Sequence, residues 1–332
     1  MVKIAVDAMG GDHAPSAIVR GAEAAWREGI AEPVLVGDEQ SIRPLLGADS
    51  KIEVVHAPTS VEMHESPSSA LRKKRDSSMN KAYALHRSGE VEAVVTAGNS
   101  GAAMAFAIFT LGRVQGIERP AIMSLHPTAR GALALLLDAG GNVDCKPGHL
   151  FQFAIMGHVY AKYALGIERP RVGLLSNGEE ETKGNELTRE AHALIRGANI
   201  NYAGYVEGTD VHNGSTDVVV SDGFVGNVAL KISEGVAEAI TTLLKERIGK
   251  SFRGKLGYFF LSDVFKELAR TVDYSEYGGA PLVGVNGVSI ICHGKSTEKA
   301  IKNAIGQAKD FASKKIHVHL AETMREYTNK ES

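Results

Sequence analysis

Residues 3–15 read KIAVDAMGGDHAP, and they set the grammar for the rest of the chain. A short β-branched run ends at Asp7. Gly10, Gly11, Asp12, His13 and Pro15 follow, and then a helical pattern begins at Ser16. A strand, a glycine-rich loop and a helix make the opening unit of a sheet covered by helices. The loop itself is ambiguous. Two glycines, two carboxylates and a histidine suit a nucleotide loop, a metal site, an acid–base site or a plain tight turn.

The same unit recurs along the chain. Apolar runs suited to strands cover Lys3–Val6, Pro33–Val36, Ile52–His56, Glu92–Thr96, Ala121–Leu125 and Ala132–Asp138. Four more cover Arg171–Ser176, Asn201–Val206, Asp217–Ser221 and Val283–Cys292. Helical periodicity fills Ser16–Arg27, Ser68–Arg87, Leu150–Leu165, Asn185–Arg196 and Asn227–Arg247. Lys295–Tyr327 reads as amphipathic helix with a break near Lys314. The alternation predicts an α/β fold with a largely parallel sheet between two helical layers. The fragment GIERP occurs at 116–120 and again at 166–170, each copy after a helix and before a strand, as a recurrent helix stop. No low-complexity linker divides the 332 residues, so one domain over 1–332, with two intertwined lobes as the variant, is expected.

Composition removes several functions. Lys plus Arg is 37 and Asp plus Glu is 39, a balance that argues against a general nucleic-acid binder. Two cysteines without CxxC spacing suggest neither a disulfide framework nor a zinc knuckle. No signal-peptide pattern opens the chain, and the longest apolar run, Ala102–Leu111, falls short of the ~18 residues of a membrane span. The expectation is a soluble protein of a reducing compartment.

Ligands in open α/β sheets bind beyond the carboxyl ends of the strands. Five polar or glycine-rich loops follow candidate strands: 7–13, 96–102, 138–144, 176–186 and 221–227. Read together, they predict one site at one end of one sheet. Thr96–Ala102 is the best anion candidate, because Gly98 and Gly101 admit close backbone approach and a helix follows directly. Asn99 and Ser100 add side-chain donors, or cap the helix without a ligand. Ser221–Asn227 repeats the pattern with Asp222, Gly223 and Gly226. Asn227 is either a cap or an amide aimed at a reacting carbonyl. Lys183 is the cation best placed to reach a central ligand, or else a solvated loop lysine.

Nucleotide and metal readings fail on spacing. No GxGxxG follows a candidate strand. His293-Gly-Lys-Ser296 resembles the tail of a Walker loop, but its first glycine would fall at Ser289, inside a strand. No HxxxH ligand pair exists. Two basic stretches stand apart. Residues 245–268 mix Lys245, Arg247, Lys250, Arg253 and Lys255 with Tyr258, Phe259 and Phe260, which suits a membrane interface, an acidic partner or a buried helical hairpin. Arg72-Lys-Lys-Arg75 reads as a solvated helix face.

Six strings in order, VDAMGGDHAP, TAGNSGA, LLDAGGNVDCKP, LLSNGEEETKGNE, SDGFVGNVALK and YSEYGGAPLVG, resemble the bacterial phosphate acyltransferase (PlsX) family over residues 3 to about 321. The resemblance implies a three-layer α/β/α fold with a mixed, largely parallel sheet, like isocitrate and isopropylmalate dehydrogenases and phosphotransacetylase. It implies formation of acyl phosphate from long-chain acyl-acyl carrier protein and inorganic phosphate, for phospholipid synthesis. It further implies a homodimer, a cytoplasmic location with peripheral membrane contact through 249–268, and no cofactor or metal. Phosphate is itself the nucleophile, so the lack of a Ser or Cys triad fits. In this reading Gly98, Asn99, Ser100 and Gly101 cradle phosphate, with Asp222, Gly223 and Gly226 also binding substrate. Lys183 offsets charge, Asn227 and the Gly226 region meet the oxyanion, and His13 protonates the leaving sulfur, binds phosphate or simply fixes its turn. Ser100 and Val225 stand where the family commonly has threonine, and Gly141 where it has alanine. A dehydrogenase or short-chain phosphotransacetylase on the same fold, and a non-catalytic membrane scaffold, are the competing readings.

Overall fold

Strand β1 (Lys3–Asp7) buries Ile4, Ala5 and Val6 completely. Ile4 and Val6 face one apolar cluster and Ala5 the other, as the period of two requires. A strand buried on both faces needs helices above and below it. The structure, a computed structural model, describes residues 1–272 and 274–328 and supplies those layers.

The first half of the chain follows β1 with α1 (Ser16–Arg27), β2 (Glu32–Gly37), α2 (Glu39–Ile42) and β3 (Glu53–His56). Next come α3 (Pro67–Lys73), α4 (Ser78–Ser88), β4 (Ala93–Thr96) and α5 (Ser100–Leu111). The second half has β5 (Ala121–Pro127), β6 (Leu133–Leu137), α6 (Pro147–Tyr163), β7 (Val172–Leu175), α7 (Glu186–Arg196) and β8 (Tyr202–Val206). It continues through α8 (Asp210–Asn213), β9 (Val218–Val220), α9 (Gly223–Gly249), α10 (Phe252–Phe260) and α11 (Ser262–Val272). The hairpin β10 (Ala280–Val283) and β11 (Ser289–Ile291) precedes α12 (Glu298–Lys314) and α13 (Ile316–Thr328).

Among the described residues these strands form one eleven-stranded sheet, ordered β3-β2-β1-β4-β11-β10-β5-β6-β9-β7-β8. The mixed sheet between two helical layers is the fold expected. Two readings change. Val283–Cys292 is not one strand: Asn286-Gly287 turns the chain, and β10 and β11 pair antiparallel. Ser68–Arg87 is two helices, because Ser77 caps α4 by accepting the Asn80 amide. The break near Lys314 is real, since Lys315 adopts φ 48°. Both GIERP copies place their glycine at positive φ, 88° for Gly116 and 74° for Gly166, which makes them matching turns.

Strand direction matters most for function. β11 runs parallel to β4, but β11/β10, β10/β5 and β5/β6 are all antiparallel. The block β6-β9-β7-β8 therefore runs opposite to β3-β2-β1-β4. The five loops do not share one end of the sheet. Those after β1 and β4 leave one end, and those after β6, β7 and β9 leave the other.

The core matches this division. Ile18, Val19, Ala22 and Ala25 of α1 pack with Ile301, Ala304 and Ile305 of α12 under the first block. A Cβ on Gly21 would meet the Glu298 carbonyl at 2.6 Å, so glycine lets these helices cross closely. Under the second block α6 is buried nearly all round, with Phe153, Ile155 and Met156 at 0% exposure. Each such side chain contributes roughly 1.5–3 kcal/mol of transfer free energy.

Candidate active site

Asp7 ends β1 and is buried. Its carboxylate accepts the Thr96 hydroxyl at 2.7 Å and the Met9 amide at 3.3 Å. Burial pushes its pKa up, while the Ser78 and Thr96 hydroxyls and the Met9 amide pull it down. Thr96 Oγ1 in turn accepts the Gly98 amide at 3.1 Å. Here two glycine loops lie backbone on backbone: a Cβ on Gly10 would fall 2.7 Å from Gly98 N. Gly11 holds φ 102°, and the next amide, Asp12 N, donates to the Gly294 carbonyl at 2.7 Å. The His293–Ser296 loop, set aside as a nucleotide motif, is thus a third wall of this cluster. Its position after β11 was the signal that it belonged there.

These loops present the N-terminus of α5. Asn99 is its cap, accepting the Ala102 amide at 3.0 Å. The other end of the Asn99 amide donates to the carbonyls of Met63 and Glu65 at 2.9 and 2.8 Å, which pins loop 62–65 against the helix. The Asn99 side chain is therefore engaged within the chain. Among the described residues, the amides of Ser100 and Gly101 have no such partner. α5 contains no charged residue, so none of its own side chains offsets the positive end of its dipole. Pro67 of α3 and Met79 of α4 close in behind, 2.9 and 2.8 Å from where Cβ atoms on Gly101 and Gly98 would stand. Such an uncapped, glycine-rich helix start is a candidate anion cradle.

At the opposite sheet end, Asp138 follows β6 and is fully buried. Oδ1 accepts the amides of Ile122, Gly140 and Gly141, at 3.0, 3.3 and 2.9 Å. Oδ2 accepts the Asn142 backbone and side-chain amides, at 2.6 and 2.8 Å. Burial raises this pKa, and the ring of donors works against that rise. The folded loop then roots α9. Gly223 and Gly226 are its buried residues. Gly223 N donates to the Asn142 carbonyl at 2.7 Å, and a Cβ on Gly226 would collide with the Asp138 carbonyl.

α9 does not offer a second anion site. Asp222 caps it, accepting the Phe224 and Val225 amides at 3.0 and 2.9 Å. A carboxylate already occupies the position an anion would take. Asp222, Gly223 and Gly226 thus build the helix root. Asn227 lies past the cap, exposed, with its amide oxygen 3.3 Å from where a Cβ on Gly140 would stand. The cap reading for Asn227 is thereby replaced, and its side chain borders the Gly140 loop.

α5 joins the two ends. Met104 Sδ lies 3.3 Å from the position a Cβ on Gly141 would take. Met104 is about 6 Å along the helix from Ser100. Helix α5 thus runs from the Ser100 and Gly101 amides to the loop that borders Asn227. Lys183 lies in the loop after β7, which leaves the same sheet end as the loops after β6 and β9. Its β7 is two strands from β6, about 10 Å across the sheet. It is six strands from β4, about 29 Å across the sheet, and Lys183 forms no hydrogen bond or ion pair with Gly98–Gly101 among the described residues. Its ammonium lies 3.9 Å from Glu180. His13 is exposed beside the cradle, and its ring makes no hydrogen bond among the described residues. No group of three or more His, Cys, Asp or Glu side chains gathers into a metal cage among those residues.

The sequence model of the fatty acid synthesis protein family matches residues 2–319. A phosphate acyltransferase of Geobacter sulfurreducens is 54% identical over 327 residues, covering 97% of this chain and 94% of that protein. The chain belongs to the PlsX family of phosphate acyltransferases. It is accordingly an enzyme, a phosphate acyltransferase of fatty acid and lipid synthesis. Solved structures agree on the fold. A phosphotransacetylase from Streptococcus pyogenes superposes with TM-score 0.63 at 18% identity, covering 94% of each chain. A 4-hydroxythreonine-4-phosphate dehydrogenase from Klebsiella pneumoniae gives 0.55 at 16% identity, over 97% of this chain and 100% of that one. The PlsX chain thus shares one layered framework with an acyltransferase and a dehydrogenase, and the loops at its strand ends set the chemistry.

Proposed function

We propose that residues 1–332 act as one enzyme domain that transfers the acyl group of a long-chain acyl-acyl carrier protein to inorganic phosphate. The acyl phosphate then feeds phosphatidic acid synthesis. The observation that carries this reading is the uncharged start of α5, whose Ser100 and Gly101 amides have no partner among the described residues, on the helix whose Met104 reaches the Gly141 loop beside Asn227.

In this mechanism phosphate sits on the amides of Ser100 and Gly101, Gly98 leaves room for its close approach, and Asn99 holds the loop that shapes the cradle. A phosphate oxygen attacks the thioester carbonyl, and holding the two together supplies up to about 7–11 kcal/mol. The Asn227 amide donates to the oxyanion. Asp222, Gly223 and Gly226 fix Asn227 in place, and Lys183 adds positive charge at the same sheet end. As the tetrahedral intermediate collapses the C–S bond breaks, and His13 gives a proton to the leaving thiolate. No cofactor or metal is required.

Two further features belong to this reading. Val225, Val228, Ile232, Val236, Ile240 and Leu243 of α9 are exposed at three- and four-residue spacing. Such a seam suits a second copy of the chain, giving a homodimer. Beyond it, Phe252, Phe259 and Phe260 are 83%, 73% and 75% exposed beside Lys250, Arg253 and Lys255. The side chains of Lys266 and Leu268, at the end of this segment, lie outside the described residues. No helix of the described residues is long and apolar enough to cross a membrane. A cationic and aromatic surface of this kind supports peripheral contact with anionic lipid from the cytoplasm.

The test is direct. Purified enzyme, long-chain acyl-acyl carrier protein and phosphate should release free thiol and an acyl phosphate that hydroxylamine traps. Thiol release that does not depend on phosphate would reject the reaction.

A further inference from the structure

α3 starts at Pro67, against Gly101, and ends at Lys73, while α4 brings Met79 against Gly98. Arg72-Lys73-Lys74-Arg75 covers the last turn of α3 and the residues just after it, about 10 Å from the cradle by helix rise. None of these four cations forms an ion pair among the described residues. Arg72, Lys73 and Arg75 are exposed. The turn beneath them is fixed: Ser77 Oγ donates to the Lys74 carbonyl at 2.7 Å, and Asn80 Nδ2 donates to the Arg75 carbonyl at 2.6 Å. Nearby acids are fewer, namely Asp76, Glu62 and Glu65, the last already accepting the Ser69 hydroxyl.

A solvated helix face does not account for four unpaired cations on a braced turn beside a phosphate cradle. We propose that Arg72–Arg75 is the docking face for an acidic protein that carries the acyl thioester, set beside the proposed phosphate site. This deepens the reading of the donor as a carrier-bound thioester and rests on it. Two observations favour a protein over lipid. No residue from 64 to 108 is an exposed large hydrophobic, whereas the cations near Lys250 sit among exposed phenylalanines. It also follows the helix that starts against Gly101, at the proposed phosphate site. Rim charges of this kind act mainly on association and on salt dependence.

The experiment reverses charge with Arg72→Glu plus Lys73→Glu and compares two donors: acyl-acyl carrier protein, and the same acyl group on pantetheine without the carrier. The expected result is a KM for the carrier donor at least about tenfold higher, with its salt dependence flattened. Turnover of the pantetheine thioester and liposome flotation should stay at wild-type values. Equal losses with both donors, or no loss with either, would overturn the proposal. Lost flotation with unchanged carrier kinetics would overturn it too, and would assign the turn to lipid. If the reversed pair does not fold, Arg72→Gln plus Lys73→Gln carries the same comparison. A wild-type enzyme that ignores the carrier donor but uses the pantetheine thioester would instead sink the donor reading itself.

Discussion

Met104 faces Gly141, its sulfur 3.3 Å from where a Cβ would stand, and this contact spans the two ends of the sheet. Through it α5, which carries the proposed phosphate cradle, touches the loop that borders Asn227. Gly141→Ala would press on both Met104 and the Asp138 carboxylate, whose oxygens lie 3.2 Å from the same position. Met104 is the softer of the two. Stability should change by less than about 1 kcal/mol, while KM for phosphate shifts. Chemical denaturation and steady-state kinetics measure the two separately.

Ser100→Asp tests the cradle. A carboxylate in the first turn of α5 favours the helix, by about 0.3–1 kcal/mol. The same charge repels phosphate. The melting temperature should hold or rise while KM for phosphate climbs at least about tenfold. Unchanged phosphate kinetics would move the anion elsewhere.

Asp138→Asn tests the opposite sheet end. All of the groups around this carboxylate are donors, so an NH₂ in place of either oxygen faces an N–H. The cost should be about 2–3 kcal/mol, with kcat falling as Asn227 loses its footing. Asn227→Ala should lower kcat without that loss of stability. A shift in the denaturation midpoint for Asp138→Asn alone is the signature.

Two buried groups give pH effects of opposite sign. His126 is buried beside His212, and its pKa falls from 6.5 to about 4. The unfolded chain takes up a proton there first, so stability is lost as pH falls from about 6.5 towards 4, by up to roughly 3 kcal/mol. His126→Gln should flatten that slope in urea titrations. Asp7 is held above its usual range by burial. Its contribution is fully present below pH 3.8 and lost as pH rises through the folded value, so Asp7→Asn should gain on wild type as pH increases.

The α9 seam and the aromatic segment make separate predictions. Ile232→Glu plus Ile240→Glu should convert a dimer to a monomer in light scattering. Phe259→Asp plus Phe260→Asp should abolish liposome flotation and spare activity on soluble substrate.

Much of the layered fold was readable from residue periodicity, because strands buried on both faces must be continuous apolar runs. The reversal of the second block was not. It follows from pairings between strands far apart in sequence, although Asn286-Gly287 did mark the hairpin. At the strand-end loops, glycines were legible because backbone contact such as Gly10 on Gly98 leaves no room for a side chain. The occupation of Asn99 by loop 62–65 was invisible, since the spacing of residues does not reveal a contact made across more than thirty positions. Asp222 is a different case: it looked like a ligand group, yet its use is local, since it caps α9 through the amides two and three residues on.

α9 runs 27 residues from its buried root at Gly223 to Gly249, close to Phe252 at the far end. At 1.5 Å per residue that is about 40 Å, somewhat more than the ~30 Å diameter of a small domain. The helix is a ruler. With its far end resting on a surface, a folded guest the size of a small domain has clearance beside it. Shortening the helix by two turns would remove about 11 Å of that headroom without touching a single residue of the candidate site.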